Sequence, residues 1–352
     1  MAGTINFKCP GCGAYLEFDP QRQRFVCAYC GADYDEQTLI RESERREEET
    51  EKETAAEASP DTGSLRSYHC QNCGAEIVTD ETTAATRCYF CHNPVVISDR
   101  VSEAYRPDGV IPFGIDREDA GGRFDEYIRR HRFVDRKFFS GAQLEIFSGV
   151  YYPYWIGQIE GDGSFSGEGK TVHTQTAGDY LVTTTNYYRL EREGQLVFSD
   201  LIRKALNKAD RQLSDGIHPY DQSEMKPFAS GYLSGFLAER RDVEEAEARE
   251  DMLSETQGYV KDLLTQDSGL AGLTGDTRFE PTRTKLRYAL LPAWVLTWRN
   301  GHSDRVYYYM MNGQNGKVCG KLPVNLPKLL ATCAVLGAAV FGLMCAGGAF
   351  LW

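Results

Sequence analysis

Hydrophobic positions are spread unevenly along the 352 residues. Near the N-terminus they come as isolated aromatics, Phe7, Phe18, Phe25 and Tyr29, which predicts a miniature core rather than a packed domain. Residues 35–66 nearly lose them: the run Arg41-Glu-Ser-Glu-Arg-Arg-Glu-Glu-Glu49 reads as a solvated helical spacer fading into a Ser-Pro-Asp-Thr-Gly linker at 59–63. From about 95 onward structural periods appear. Val95-Val96-Ile97 predicts a strand. Asp116 is a ready N-cap for a helix reaching about Arg132, with Phe124, Tyr127, Ile128 and His131 on one face. Alternation through the aromatic 150s, then 164–175, 179–191 and 195–199, predicts strands rich in Thr, Tyr, Val and Gly. From Asp242 to Leu264 a charged helix carries a narrow seam of Val243, Ala246, Leu253, Val260 and Leu263. Strands at about 283–299 and 304–311, with a turn at Asn312-Gly313 before 316–320, close an α+β domain with antiparallel sheet over 95–325.

The pattern changes again at the end. Residues 329–352 are uncharged and mostly apolar. At about 1.5 Å per helical residue they reach roughly 36 Å, enough to cross a hydrocarbon core of about 30 Å. The competing reading is a buried core helix; the length, the terminal position and Trp352 at a presumed interface favour a transmembrane anchor in the lipid bilayer. Lys317, Lys321 and Lys328 precede the segment and no charged side chain follows it. The positive-inside rule then predicts a single pass through the inner (cytoplasmic) membrane, with the N-terminus and soluble domains in the cytoplasm. Ala334, Ala338, Gly342 and Ala346 form a small-residue stripe on which a homo- or hetero-oligomer can pack. Cys333 and Cys345 read as membrane-facing hydrophobes.

Within the soluble domain, Tyr152-Pro153-Tyr154-Trp155-Ile156 and Leu291-Pro292-Ala293-Trp294-Val295 both read apolar-Pro-x-Trp-apolar. Duplication, each half supplying an antiparallel sheet, and chance likeness of aromatic strands are both open readings.

Chemistry enters through cysteine. Cys9-x-x-Cys12 is followed after fourteen residues by Cys27-x-x-Cys30, and Cys70-x-x-Cys73 after another fourteen by Cys88-x-x-Cys91. Each member of the first set precedes its counterpart by 61 residues, an internal repeat. Two such pairs place four thiolates tetrahedrally around one Zn²⁺, so the chain is expected to hold two small four-cysteine zinc-ribbon domains, at 5–34 and 67–94, and two structural ions. Gly13-Ala14, Gly74-Ala75 and Gly31-Ala32 supply the turns that aim backbone amides at sulfur. Four thiolates close a site to water and substrate, which makes these ions structural and not catalytic. Metal-spaced cysteines behind a polar Met1–Lys8, which is no signal peptide, predict a reducing compartment.

Charge narrows the function. The net charge is −12 with a pI near 5.1, and each zinc bound by four thiolates adds roughly −2. The first ribbon sets Lys8, Arg22 and Arg24 against Glu17 and Asp19; the second sets Arg87 against Glu76, Asp80 and Glu81. Neither is the basic, aromatic-interleaved surface that nucleic acid requires. Cys88-Tyr-Phe-Cys91-His92 matches the haem-attachment pattern, but the paired Cys70 and Cys73 explain its cysteines without haem. Gly163 to Thr171 nearly matches a phosphate-binding loop, with Ser164 where the first glycine belongs and strand alternation on both sides, so a Gly-rich hairpin is expected. No histidine pair or nucleophile elbow points to an enzyme.

The run from Cys70-Gln-Asn-Cys-Gly-Ala-Glu to Arg-Cys-Tyr-Phe-Cys91, with Leu291-Pro-Ala-Trp294, Tyr309-Met-Met-Asn-Gly-Gln-Asn-Gly-Lys317 and Gly320-Lys-Leu-Pro323, resembles a bacterial family of double zinc-ribbon proteins with a C-terminal transmembrane anchor. Its members are often labelled transcription-factor-type zinc ribbons or mislabelled primosomal helicases. No helicase motif is present in this chain, and His92 stands where the family usually has glycine. The resemblance implies a non-enzymatic membrane anchor, in some members associated with phage-shock-type or flotillin-like membrane-stress proteins. The expected function is a membrane-anchored scaffold or adaptor whose cytoplasmic zinc ribbons recruit protein partners. The alternative is a membrane-tethered nucleic-acid-binding regulator.

Overall fold

The computed structural model describes residues 4–5, 7–35, 38, 65–70, 73, 75–88, 94–97, 100–101, 105–134, 147–209, 211–299, 306–320, 322 and 324–350. Residues 39–64 of the spacer, Cys91, His92 and Trp352 lie outside them. In chain order the strands are β1 (Thr4–Ile5), β2 (Leu16–Asp19), β3 (Arg24–Cys27), β4 (Asp33–Tyr34), β5 (Leu65–His69), β6 (Glu76–Asp80), β7 (Thr83–Arg87) and β8 (Pro94–Ile97). There follow β9 (Gly109–Val110), β10 (Ser148–Ala177), β11 (Tyr180–Lys204), β12 (Lys226–Pro227), β13 (Leu237–Glu239), β14 (Ala271–Arg299), β15 (Val306–Asn312) and β16 (Val318–Gly320). The helices are α1 (Arg117–Arg130), α2 (Arg211–Gly216), α3 (Glu245–Thr265) and α4 (Leu326–Phe350).

Eleven strands form one mixed sheet along the path β1-β8-β7-β13-β10-β14-β15-β16, with β11 on β10 and the β9–β12 pair on β14. Most ladders are antiparallel, but β10–β13 and β14–β9 run parallel, so the sheet is mixed where antiparallel strands alone were expected. It also continues across residues 94–95, through β8 and β7 to β13.

The echoed Pro-x-Trp segments face each other at the centre of this sheet. Tyr151 lies opposite Pro292 and Pro153 opposite Leu290, so a local two-fold relates them. Surrounding elements obey the same relation. Val150, three residues before Pro153, pairs with Leu237; Ala289, three before Pro292, pairs with Gly109. Trp155 Nε1 donates to the Val243 carbonyl at 3.0 Å, and Trp294 Nε1 to the Ile115 carbonyl at 3.0 Å. Each carbonyl directly precedes a helix N-cap, Glu244 and Asp116. Each half is therefore strand, helix and long hairpin, with the short strand pairing in the opposite half. A buried indole N–H needs an acceptor, and here it ties each helix start to the other half. Between the halves lies an aromatic core in which Phe113 stacks on Phe236 and Phe147 on Trp294.

The first half extends its hairpin into an arm. Strands expected as four pieces are two continuous ones, and Gly163 to Thr171 lies inside β10, not at a turn. The turn comes at Gly178, with φ +64°. The glycines permit close approach: a Cβ on Gly157 would overlap the Met252 sulfur of α3. The buried stripe of α3 is Ala248, Met252, Thr256 and Val260; the predicted Ala246 and Leu263 face solvent because this four-residue stripe sits over the arm. On α1, Phe124 and Ile128 are buried, Tyr127 is half-buried and His131 is exposed.

Candidate metal centres

Cys27, Cys70 and Cys88 stand at the ends of β3, β5 and β7, and Cys9 follows the Lys8–Tyr15 bridge. In the first cluster Cys9 N donates to Ala14 O at 2.6 Å and Cys27 N to Ala32 O at 2.8 Å; in the second, Cys70 N donates to Ala75 O at 2.8 Å. Gly13 and Gly31 donate to the Cys9 and Cys27 carbonyls, with φ of +76° and +72°. That left-handed backbone is what glycine allows, and it leaves the amides between the cysteines free to point at sulfur.

In the first cluster the sulfurs of Cys9, Cys12, Cys27 and Cys30 all lie within 4.8 Å of one another. The shortest separations are 3.5 Å (Cys12 to Cys27) and 3.6 Å (Cys9 to Cys30). In the second, Cys70, Cys73 and Cys88 converge in the same way, with Cys73 and Cys88 at 3.7 Å. Metal–sulfur bonds of about 2.3 Å in a tetrahedron put sulfurs about 3.8 Å apart, whereas a disulfide needs about 2.05 Å. Both donor sets fit a tetrahedral metal ion. The expected fourth ligand of the second set, Cys91, lies outside the described residues.

The electrostatics of the first set favour a cation. The Tyr34 hydroxyl, 3.4 Å from the Cys9 sulfur, is the main influence lowering the Cys9 pKa, with the Cys12 and Gly11 amides adding to it. The Cys30 amide leads in lowering Cys27. The Ala14 amide draws Cys12 down, but burial and the sulfurs of Cys30, Cys27 and Cys9 outweigh it and drive that thiol up. Four thiolates cannot ionise together without a positive ion between them, and a bound dication reverses the repulsion.

Tyr34 is the functional side chain the sequence reading missed. It sits on β4 opposite Phe25, and its position four residues after Cys30 is the only sequence signal for it. Tyr29, expected in the miniature core, is instead 85 % exposed at the tip between Cys27 and Cys30. Phe7, Phe18 and Phe25 are buried as predicted. Phe18 and Phe25 meet Tyr232 of the body with ring centroids at 5.3 and 5.6 Å.

A cleft of about 590 Å³ lies between this cluster and the sheet. Glu17, Asp19 and Asp116 line it together with Arg87 and Arg117, beside Phe147 and Trp294. Its charges are mixed, so it favours neither an anionic nor a cationic small ligand.

Cysteine clusters with metal-binding geometry, a mixed sheet and one apolar C-terminal helix characterise this protein. The chain is similar to the uncharacterized protein YdjG of Bacillus subtilis (strain 168), 28% identical over 345 residues, covering 96% of this chain and 95% of that protein. No family model matches the chain, and no solved structure matches it.

Proposed function

We propose that this chain is a non-enzymatic, single-pass membrane scaffold whose two zinc ribbons recruit protein partners at the cytoplasmic face of the inner membrane. The observation that supports it most is the state of α4. Over Leu326–Met344 the helix has a mean hydropathy of 1.8 and no part of it is buried in the protein. Leu330, Val335 and Phe341 are each about two-thirds exposed (67%, 69% and 70%). A core helix would be covered; 25 mostly apolar helical residues span about 37 Å and fit a bilayer. Lys317, Lys321 and Lys328 on its N-terminal side favour a body in the cytoplasm.

The metal ions are Zn²⁺, held in closed thiolate sets with no open coordination position, which suits docking heads rather than catalysts. Exposed Tyr29 on the first head is the side chain offered to a partner. The family resemblance makes membrane-stress proteins of the phage-shock or flotillin type the partners to look for.

The test is co-purification of the full chain from its native membranes, beside Tyr29→Ala and Cys9→Ser variants. A partner lost with either variant, while membrane retention is unchanged, supports the scaffold. Unchanged recovery with both would sink the docking role. Metal analysis of the same preparations should find two zinc ions per wild-type chain and one in Cys9→Ser.

A further inference from the structure

The C-terminal end of α1 and the entry to α4 are joined. Asn325 N donates to Phe133 O at 2.7 Å, and Val134 bridges Val324 in an antiparallel pair. Asn325 also caps α4, its side chain accepting from Lys328 N at 3.0 Å. The last turn of α1 therefore stands beside the point where the apolar helix begins. That turn and its extension carry Arg129, Arg130 and Arg132, all exposed, and Lys328 is exposed on the first turn of α4.

This concentration runs against the rest of the molecule. The chain has a net charge of −12, yet from Arg305 to its end it contains no Asp or Glu. On α1 the nearest acids are Asp125 and Glu126, of which Glu126 pairs with Arg130 at 2.6 Å. An acidic body next to an anionic bilayer is repelled, so a cationic patch is useful at one place: where chain meets membrane. The sequence put three lysines there; the fold adds three arginines from nearly two hundred residues earlier.

We infer that Arg129, Arg130, Arg132 and Lys328 form a collar that binds the headgroups of anionic phospholipids. Three guanidinium forks, that of Arg130 shared with Glu126, and an ammonium offer the charge-assisted, partly bidentate hydrogen bonds that phosphate oxygens accept. Binding there fixes α1, and through Phe133 and Val134 the entry to α4, against the bilayer surface. The inference rests on the reading of α4 as a membrane anchor.

The experiment uses the full chain in nanodiscs of phosphatidylcholine alone or with about 30% phosphatidylglycerol, a share taken to mimic an anionic leaflet. Hydrogen exchange is read over residues 126–134, alongside retention in the discs. Exchange should slow roughly fivefold or more in the anionic discs, and the protection should vanish at high salt, where the Debye length falls to about 3 Å. The triple variant Arg129→Gln/Arg130→Gln/Arg132→Gln should lose the protection while keeping disc retention and metal content. Lys328→Gln, outside α1, should lose part of it. Equal exchange in the two lipids overturns the collar while leaving the anchor intact. A chain that does not stay in either disc overturns both. Protection by inorganic phosphate in pure phosphatidylcholine discs also overturns the assignment, because the ligand is then a soluble anion.

Discussion

The two cysteine repeats share their spacing, yet attach to the body by different means. In the first, β2 pairs with β3 and β3 with β4, a closed three-stranded unit. Outside that unit its lead-in β1 pairs with β8 and Phe18 N donates to Ser234 O, and its side chains merge with the main core, where Phe7, Leu16, Phe18 and Phe25 belong to the same apolar cluster as Phe113 and Trp294. In the second, the β7–β8 register of Thr86 with Val95 and Arg87 with Pro94 reproduces that of Phe25 with Tyr34 and Val26 with Asp33. The other edge differs. Among the described residues no ladder joins β6 to β7; β6 pairs with β5, and β7 pairs with β13 of the body. Its apolar cluster, Cys70, Ile77, Cys88 and Val95, stays separate. The first head is held mainly by its merged core, with its lead-in β1 on β8, and the second mainly by the β7–β13 ladder.

The cause is visible at equivalent positions. Phe18 and Phe25 face each other across the first hairpin at 5.2 Å and lock it shut. Their counterparts are Thr79 and Thr86, which supply no such pair. Small, buried Ala84 and Ala85 beside them suit a strand inside a sheet. The second repeat opens, and β13 takes the place of its own hairpin partner.

The largest effect should come from the thiolates. Cys88→Ser is expected to remove one metal ion and speed exchange of the β7 and β13 amides by about tenfold or more, because a bound ion would hold Cys88 directly at the end of β7. Cys27→Ser should remove the other ion and leave those amides protected. Metal content and hydrogen exchange read both; equal loosening of β7 by the two variants would end the contrast.

Next, Phe25→Ala should destabilise the first head by about 3–5 kcal/mol, the usual cost of emptying a buried aromatic site. Thr86→Ala, its counterpart, should cost about 1 kcal/mol. Denaturant titration followed by metal release separates them.

Acid must be kept from blurring these comparisons. Burial holds His218 down at about 4, with Lys317 and Arg203 adding to the shift and Asp215 opposing it. The unfolded ring takes its proton near pH 6.5 and the folded one does not, so stability is full above that value and falls between about pH 6.5 and 4. The whole effect is about 2–3 kcal/mol for a ring partly reached by water. His218→Phe should flatten the decline in stability over that window without altering metal content at neutral pH.

The smallest effect joins the heads to each other. Arg87 on β7 pairs with Glu17 on β2 at 3.2 Å and donates to Gly235 O at 2.8 Å. Both side chains are well exposed, so Arg87→Ala should cost about 1 kcal/mol or less and the ion-pair share should disappear in high salt. A larger loss would mean that the heads act as one unit.

Much of this was legible in the residues. Cysteine spacing marked the seven described cysteines that converge, because metal geometry tolerates few spacings, and Asp116 marked the start of α1 because a cap is a local device. The stripe of α3 was legible only in part: Val243 and Val260 are buried and Leu253 packs on the core, while Ala246 and Leu263 face solvent because a charged sequence offers several weak seams and the arm's glycines select one. Tyr29 was misplaced because burial in so small a unit depends on what docks against it.

The sequence by itself determined the two thiolate sets, the secondary-structure periods, the Pro-x-Trp echo and the apolar tail, all properties of residues near one another in the chain. Only the tertiary structure decided that the echo is a two-fold with exchanged strands, that the repeated heads differ in their outer partner, and that arginines of α1 stand at the entry to α4. Those depend on contacts between distant segments, where a strand edge takes whichever partner buries more, and no local pattern encodes that choice.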